Sequence, residues 1–95
     1  MIKLIATDLD NTLLDKSGQI PESTAALLRQ AAQKGVLTAV ATGRCYPSAK
    51  GAAAVIGAQT PIICYNGSLI KRGDTGEVLA QTYVTPEQIR AVSAF

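Results

Sequence analysis

Short apolar runs alternate with segments of helical periodicity along most of the chain. Nearly continuous apolar runs at 2–9, 36–42 and 61–65 are typical of strands covered on both faces. Between these runs, apolar residues recur at helical spacing. Strand, helix, strand, helix, strand with short connections predicts a parallel sheet built from right-handed crossovers, which is half of a doubly wound α/β fold.

Two helices are predicted between these strands. The first begins at Pro21, with Glu22 in the first turn where the helix dipole favours a carboxylate, and ends at Lys34 and Gly35. The second covers residues 47–57 and is rich in alanine, although Gly51 weakens it. The inward stripe of the first helix is predicted to comprise Ala25, Leu28 and Ala32, with Leu27 and Ala31 alongside it.

Two other segments depart from the parallel pattern. Residues 13–20 carry a Ser17–Gly18 turn between apolar ends, which predicts a small hairpin or flap. Residues 68–84 form two alternating runs around a polar turn at 73–76, which predicts an antiparallel hairpin.

A second structural unit is predicted near the end of the chain. Thr85, Pro86 and Gln88 have the N-cap, first-turn proline and capping-box chemistry of a helix start. We therefore expect one unit over residues 1–84 and the beginning of another over 85–95.

Composition and charge exclude several classes of protein. The 95 residues are 47% hydrophobic, which suits one small domain or part of one. A net charge of +2, without a run of like charges and with only 4% aromatic residues, argues against nucleic-acid binding. No apolar run approaches the ~20 residues of a membrane span, and Asp8 interrupts the first run before it could serve as a signal peptide. We expect a cytoplasmic protein without membrane association.

The two cysteines indicate neither a zinc site nor a disulfide framework. Cys45 and Cys64 are far apart in a chain that has no histidine. We expect both to be small buried side chains.

Polar residues follow each of the three predicted parallel strands. Asp8 and Asp10 follow the first strand, Thr42–Arg44 the second, and Asn66–Gly67 the third. Ligands of open α/β sheets bind beyond the carboxyl ends of the strands, so these residues are predicted to converge on one site.

The chemistry available at such a site is that of carboxylate, hydroxyl, amide and guanidinium groups. One aspartate can act as a nucleophile and form an acyl phosphate, while a second moves the proton of an alcohol or a water. The repulsion between Asp8 and Asp10 calls for a divalent cation, and a hard oxygen site suits Mg²⁺. Thr42 and the amides near Gly43 would hold phosphoryl oxygens.

At these residues the chain resembles the haloacid dehalogenase superfamily of phosphohydrolases. "DLDNT" matches the first motif of that superfamily, Asp-x-Asp-x-Thr, and "ATGR" matches the second-motif form of its sugar-phosphate phosphatase branch, whose members carry an α/β cap. "YNGSLI" resembles the Asn-Gly turn after the third strand in the same branch. The resemblance implies an incomplete Rossmann-like, three-layer α/β fold with a parallel sheet, a β-hairpin and the first helix of a truncated cap.

The resemblance also implies a role for each motif residue. Asp8 is the nucleophile, and Asp10 is the general acid and base, with its backbone carbonyl on Mg²⁺; the metal site therefore includes Asp8 and Asp10. Thr42 binds phosphate, and Leu9 and Gly43 contribute amides. The remaining candidates near the phosphate, to which no chemical step is assigned, are Arg44 and Asn66. The implied substrate is a small phosphorylated metabolite, such as a sugar phosphate.

The chain departs from the pattern of the superfamily in two respects. Asn11 stands where this branch usually has glycine, and asparagine enters left-handed conformations more readily than other residues. The third-motif lysine and the fourth-motif acidic pair are expected after a cap inserted near residue 84. Lys50 and Lys71 are not expected to take their place, because they fall in the predicted second helix and in the hairpin. We therefore expect residues 1–95 alone to be inactive, with an open edge beside the first strand that invites self-association.

Other interpretations of these residues stay open. A calcium loop would need glycine and glutamate where the chain has Leu13 and Gln19. Arg44 is interpreted equally well as a surface cation, and Asn66–Gly67 as an ordinary turn. Alternatives to a phosphatase are a phosphomutase of the same superfamily and a non-catalytic α/β module that binds anions.

Overall fold

A computed structural model of the protein describes residues 1–57 and 59–94. Five strands form one sheet in chain order. The first three are parallel to one another, and the last two continue the sheet as an antiparallel hairpin. The α/β fold with a parallel core and a hairpin is therefore as predicted, although the hairpin belongs to the same sheet. The strands are β1 (Leu4–Thr7), β2 (Leu37–Ala41), β3 (Pro61–Cys64), β4 (Leu69–Arg72) and β5 (Val78–Gln81).

The described part of the chain also contains three α-helices: α1 (Glu22–Gln33), α2 (Tyr46–Ile56) and α3 (Pro86–Ser93). The first helix starts one residue later than predicted, and the chain turns out of it through Gly35 at φ +87°. At α3 both bonds of the predicted capping box form between Thr85 and Gln88. The division into units 1–84 and 85–95 remains a prediction.

The core lies between the sheet and the first two helices. It is formed by small and branched side chains of α2, β2 and β3, together with Leu9, Leu14 and Ala25. Of the predicted inward stripe, Ala25 is buried and Leu28 packs against the core. The predictions for Ala32 and for the flanking Leu27 were wrong, because Ala32 is exposed and 66% of the Leu27 surface is exposed.

The segment after β1 differs most from the sequence prediction. The first strand was predicted over 2–9, but it ends at Thr7, and Leu9–Leu13 forms a single wide turn closed by Leu14 N–H donating to Leu9 O at 2.9 Å. Among the described residues no strand pair forms at 13–20. The loop is closed instead by a backbone bond, from Asp15 N–H to Gln19 O at 2.8 Å, and by the Asp15 carboxylate, which accepts from the N–H groups of Ser17 and Gln19.

The two cysteines have different surroundings. Cys64 is buried as predicted, and burial raises the pKa of its thiol. The prediction for Cys45 was wrong, since it is exposed directly before α2.

Strand β1 lies at one end of the sheet. In the described part of the chain it pairs with β2 alone, and its Leu4 side chain is 56% exposed. None of the described helices is both long enough and apolar enough to cross a membrane.

Candidate active site

The carboxyl ends of the three parallel strands surround an open pocket of about 420 Å³. Four of the seven predicted site residues line it, one or two from each strand end. The other three, Leu9, Asp10 and Arg44, lie within two positions of a lining residue in the sequence but do not line the pocket. The lining comprises Asp8, Ala41, Thr42, Gly43, Ile63, Asn66 and Gly67.

Asp8 is held at the mouth of this pocket by the turn that follows β1. Its Oδ1 accepts a hydrogen bond from the Leu9 N–H at 2.8 Å, which fixes the carboxylate relative to the backbone. Its Oδ2 has no hydrogen-bond partner within residues 1–57 and 59–94. The amide of Leu9, predicted to contact phosphate, is thus engaged with Asp8 in this structure.

The turn after β1 depends on one residue in the left-handed backbone conformation, Asn11, between the buried side chains of Leu9 and Leu14. Leu9 and Leu14 lie in the core, so the five residues between Asp8 and Leu14 must turn back within a fixed span. Asn11 makes this possible with φ +62° and ψ +13°, as the sequence predicted. Asp8 and Asp10 are consequently both exposed on the rim of the sheet.

Thr42 is buried at the end of β2 and joins two strand ends. Its backbone N–H donates to Ile63 O at 2.8 Å, and its carbonyl accepts from Asn66 N–H at 3.2 Å. The Oγ1 atom accepts the Arg44 N–H at 3.0 Å. A hydroxyl that already accepts from the protein keeps its own proton to donate, which is what a phosphoryl oxygen requires.

Gly43 and Asn66 fit together so closely that a side chain on Gly43 would displace Asn66. A Cβ atom on Gly43 would lie 2.9 Å from Asn66 Oδ1. Asn66 reaches this position because Tyr65, Asn66 and Gly67 all have positive φ, at +49°, +57° and +97°. Residues in sparsely populated backbone regions cluster at functional sites, and here Asn66 and Gly67 both belong to the pocket lining.

Arg44 binds Asp10 in a two-pronged ion pair. Its Nε donates to Oδ2 at 2.8 Å and its Nη2 donates to Oδ1 at 2.5 Å. The hydrogen bond from Arg44 lowers the pKa of Asp10, and the same bond raises the pKa of Arg44. Asp10 is therefore held as a carboxylate at neutral pH.

Sequence reasoning missed two neighbours of this ion pair. Arg44 Nη1 donates to Ser48 Oγ at 3.2 Å, and the Arg44 carbonyl accepts from Tyr65 N–H at 3.0 Å. The spacing of four residues between Arg44 and Ser48, at the start of a predicted helix, was a signal for the first contact. No sequence signal indicated the second.

The side chains at the strand ends provide only part of the oxygen ligands that a Mg²⁺ ion needs. No group of three or more potential metal-binding side chains occurs among residues 1–57 and 59–94. Mg²⁺ is commonly bound through one or two carboxylates, with water and substrate phosphate completing its shell. Asp8 offers a carboxylate oxygen of this kind, whereas both Asp10 side-chain oxygens are bound by Arg44. The resemblance assigns the backbone carbonyl of Asp10, not its side chain, to Mg²⁺.

Comparison with known proteins identifies the family. A family model described as haloacid dehalogenase-like hydrolase matches residues 5–95. The chain belongs to this family. A haloacid dehalogenase-like hydrolase from B. subtilis superposes on 98% of the chain with a TM-score of 0.85 and 29% identity, and the chain covers 32% of that structure.

Curated relatives in the haloacid dehalogenase-like family are phosphatases. A phosphoglycolate phosphatase of Thermoplasma volcanium is 32% identical over 74 residues, which are 78% of this chain and 33% of the relative. The 5-amino-6-(5-phospho-D-ribitylamino)uracil phosphatase YwtE of Bacillus subtilis is 33% identical over 95 residues, which are 99% of this chain and 32% of the relative. The chain thus spans about a third of the length of these relatives.

Proposed function

We propose that this chain contributes the nucleophile and the phosphate pocket of a magnesium-dependent phosphatase that acts on small phosphorylated metabolites. The observation that carries the proposal is the pocket at the strand ends, whose lining includes Asp8, Thr42 and Asn66. Their side chains can supply a nucleophile and hydrogen-bond donors to phosphate in one place.

In the first half of the proposed reaction, Asp8 Oδ2 attacks phosphorus. The bond from phosphorus to the ester oxygen breaks, and the leaving oxygen takes the proton of Asp10 in its acid form. Because the ion pair with Arg44 favours the carboxylate, this proton comes from a minor population of Asp10. Thr42 Oγ1–H donates to a phosphoryl oxygen, where charge accumulates.

In the second half, a water molecule attacks the aspartyl phosphate and restores Asp8. Asp10 takes the proton of that water, for which its resting carboxylate form is already suited. A bound Mg²⁺, held by the Asp8 carboxylate and the Asp10 carbonyl, would neutralise charge on phosphate and carboxylate. Inorganic phosphate is then released.

The substrate class rests on the relatives. Their names specify phosphoglycolate and a phosphorylated ribitylaminouracil, both of which are small phosphate monoesters. We propose the same class for this protein, with sugar phosphates included.

The test uses the native polypeptide, by which we mean the chain at the length that intact-mass spectrometry finds in the cell. Phosphate release from a panel of small phosphate monoesters is measured with and without Mg²⁺. Asp8→Asn should lower turnover by several orders of magnitude without changing circular dichroism, because the uncatalysed reaction is extremely slow. Asp74→Asn, in the turn of the hairpin, is the matched control and should retain wild-type turnover.

Three outcomes would contradict the proposal. More than a tenth of wild-type activity in Asp8→Asn would exclude Asp8 as the nucleophile. Transfer of phosphate to a second hydroxyl of the sugar would indicate a phosphomutase, and phosphate binding without turnover would indicate an anion-binding module. Residues 1–95 alone are predicted to be inactive, which the same assay checks beside the native polypeptide.

A further inference from the structure

We propose that Arg44 is a positioning residue that holds the Asp10 carboxylate in the orientation used for proton transfer. The proposal rests on the proposed function and deepens it. Sequence analysis left Arg44 either as a phosphate ligand or as a surface cation, and the geometry points to neither.

Burial does not fix the orientation of the Asp10 side chain. It lies on the rim of the sheet with 52% of its surface exposed. An exposed aspartate ordinarily samples several staggered orientations about its χ1 torsion. Both of its oxygens are instead bound by Arg44, at 2.5 and 2.8 Å, and a planar two-pronged contact of this kind fixes orientation as well as distance.

Arg44 is itself anchored to the ends of β2 and β3. Its backbone N–H donates to Thr42 Oγ1 at 3.0 Å, and its carbonyl accepts from Tyr65 N–H at 3.0 Å. Its Nη1 also donates to Ser48 Oγ on α2 at 3.2 Å. Through Asp10 the same residue reaches the turn after β1, so Arg44 connects the ends of all three parallel strands.

This arrangement favours positioning over phosphate binding. All three guanidinium nitrogens of Arg44 are engaged, two with Asp10 and one with Ser48. Arg44 does not line the pocket that contains Asp8. These contacts use three of the five N–H donors of Arg44, so what disfavours phosphate binding is the position of Arg44 outside the pocket lining.

The first experiment measures orientation and requires no activity. In the 95-residue chain, three-bond couplings from Hα to the two Hβ atoms of Asp10 report its χ1 torsion by NMR. We expect one large and one small coupling, or two small ones, in the wild type, and averaged values in Arg44→Ala. Arg72→Ala is the matched control, because Arg72 binds Asp74 with the same two nitrogens at 2.9 and 2.7 Å in the hairpin. Unchanged Asp10 couplings in Arg44→Ala, or averaged couplings already in the wild type, would overturn the proposal.

The second experiment asks whether the orientation serves proton transfer. The native polypeptide and its Arg44→Ala variant are compared on an alkyl phosphate and on p-nitrophenyl phosphate, whose leaving group needs little protonation. We expect the fold loss of kcat caused by Arg44→Ala to be at least ten times larger on the alkyl phosphate than on p-nitrophenyl phosphate. KM should change less than kcat, and Arg44→Lys should recover part of the lost kcat.

The outcomes separate this proposal from the proposed function. Equal losses of kcat on the two substrates, or a loss confined to KM, would overturn the positioning role and indicate a structural or phosphate-binding one. Absence of turnover in the wild type would contradict the phosphatase, while the couplings of Asp10 would still decide whether Arg44 orients it.

Discussion

Replacement of Gly43 by alanine tests the close fit between the second and third strand ends. The added Cβ would lie 2.9 Å from Asn66 Oδ1, 3.6 Å from Cγ and 3.7 Å from Nδ2. These three atoms are the nearest neighbours of the new methyl group, and they belong to one side chain. Gly43 is not among the glycines with positive φ, so alanine adds no backbone strain there.

The magnitude follows from the movement that Asn66 must make. Its carboxamide has to shift by several tenths of an ångström to restore ordinary contact, which forces it away from its rotamer at a cost of about 0.5–1.5 kcal/mol. Asn66→Gly removes the obstructing side chain and keeps a residue suited to φ +57°. In that background Gly43→Ala should cost nearly nothing, which gives a coupling energy of about 1 kcal/mol.

The assay is urea unfolding of the 95-residue chain and its variants, with the free energy of unfolding taken by linear extrapolation. Gly51→Ala is the matched control, because no atom lies within 4 Å of its added Cβ and the site is helical. It should stabilise the chain by about 0.5–1 kcal/mol through helix propensity. An equal cost of Gly43→Ala with and without the Asn66 side chain would refute the reasoning.

Much of the fold was predictable because hydrophobic periodicity and turn chemistry agree along the chain. Buried runs at β2 and β3, the capping box at Thr85 and the left-handed Asn11 all follow from local rules. The exposed Leu27 was not predictable in this way, because an apolar residue beside a helical stripe is covered only if a neighbouring element reaches it.

The sequence predicted which strand ends meet at the candidate site, but it did not predict the contacts between their side chains. Strand order alone brings Asp8, Thr42 and Asn66 to one pocket, since parallel strands end at the same edge of a sheet. The pairing of Arg44 with Asp10 could not be predicted, because it joins residues 34 positions apart through side-chain rotamers that no periodicity encodes. The pairing changes the interpretation of Arg44 from a candidate phosphate ligand to a partner of Asp10, the proposed acid and base.

Two further predictions concern the end of β2 and the edge of the sheet. Thr42→Val removes a hydroxyl that accepts the Arg44 N–H and that we propose donates a hydrogen bond to phosphate. The kcat/KM of the native polypeptide should therefore fall by the equivalent of about 1–3 kcal/mol. Thr42→Ser should retain most of it, and an unchanged kcat/KM in Thr42→Val would contradict a role for the hydroxyl. The second prediction is that the 95-residue chain self-associates through β1, whose outer backbone groups have no strand partner within the described residues. Leu4→Lys places a charge on that edge and should move the sedimentation coefficient toward that of a monomer, because a buried lysine in a strand pair would lose its hydration. Leu27→Lys is the control, since Leu27 is similarly exposed but lies on α1, away from any strand edge. If both variants sediment as the wild type does, association does not use the β1 edge.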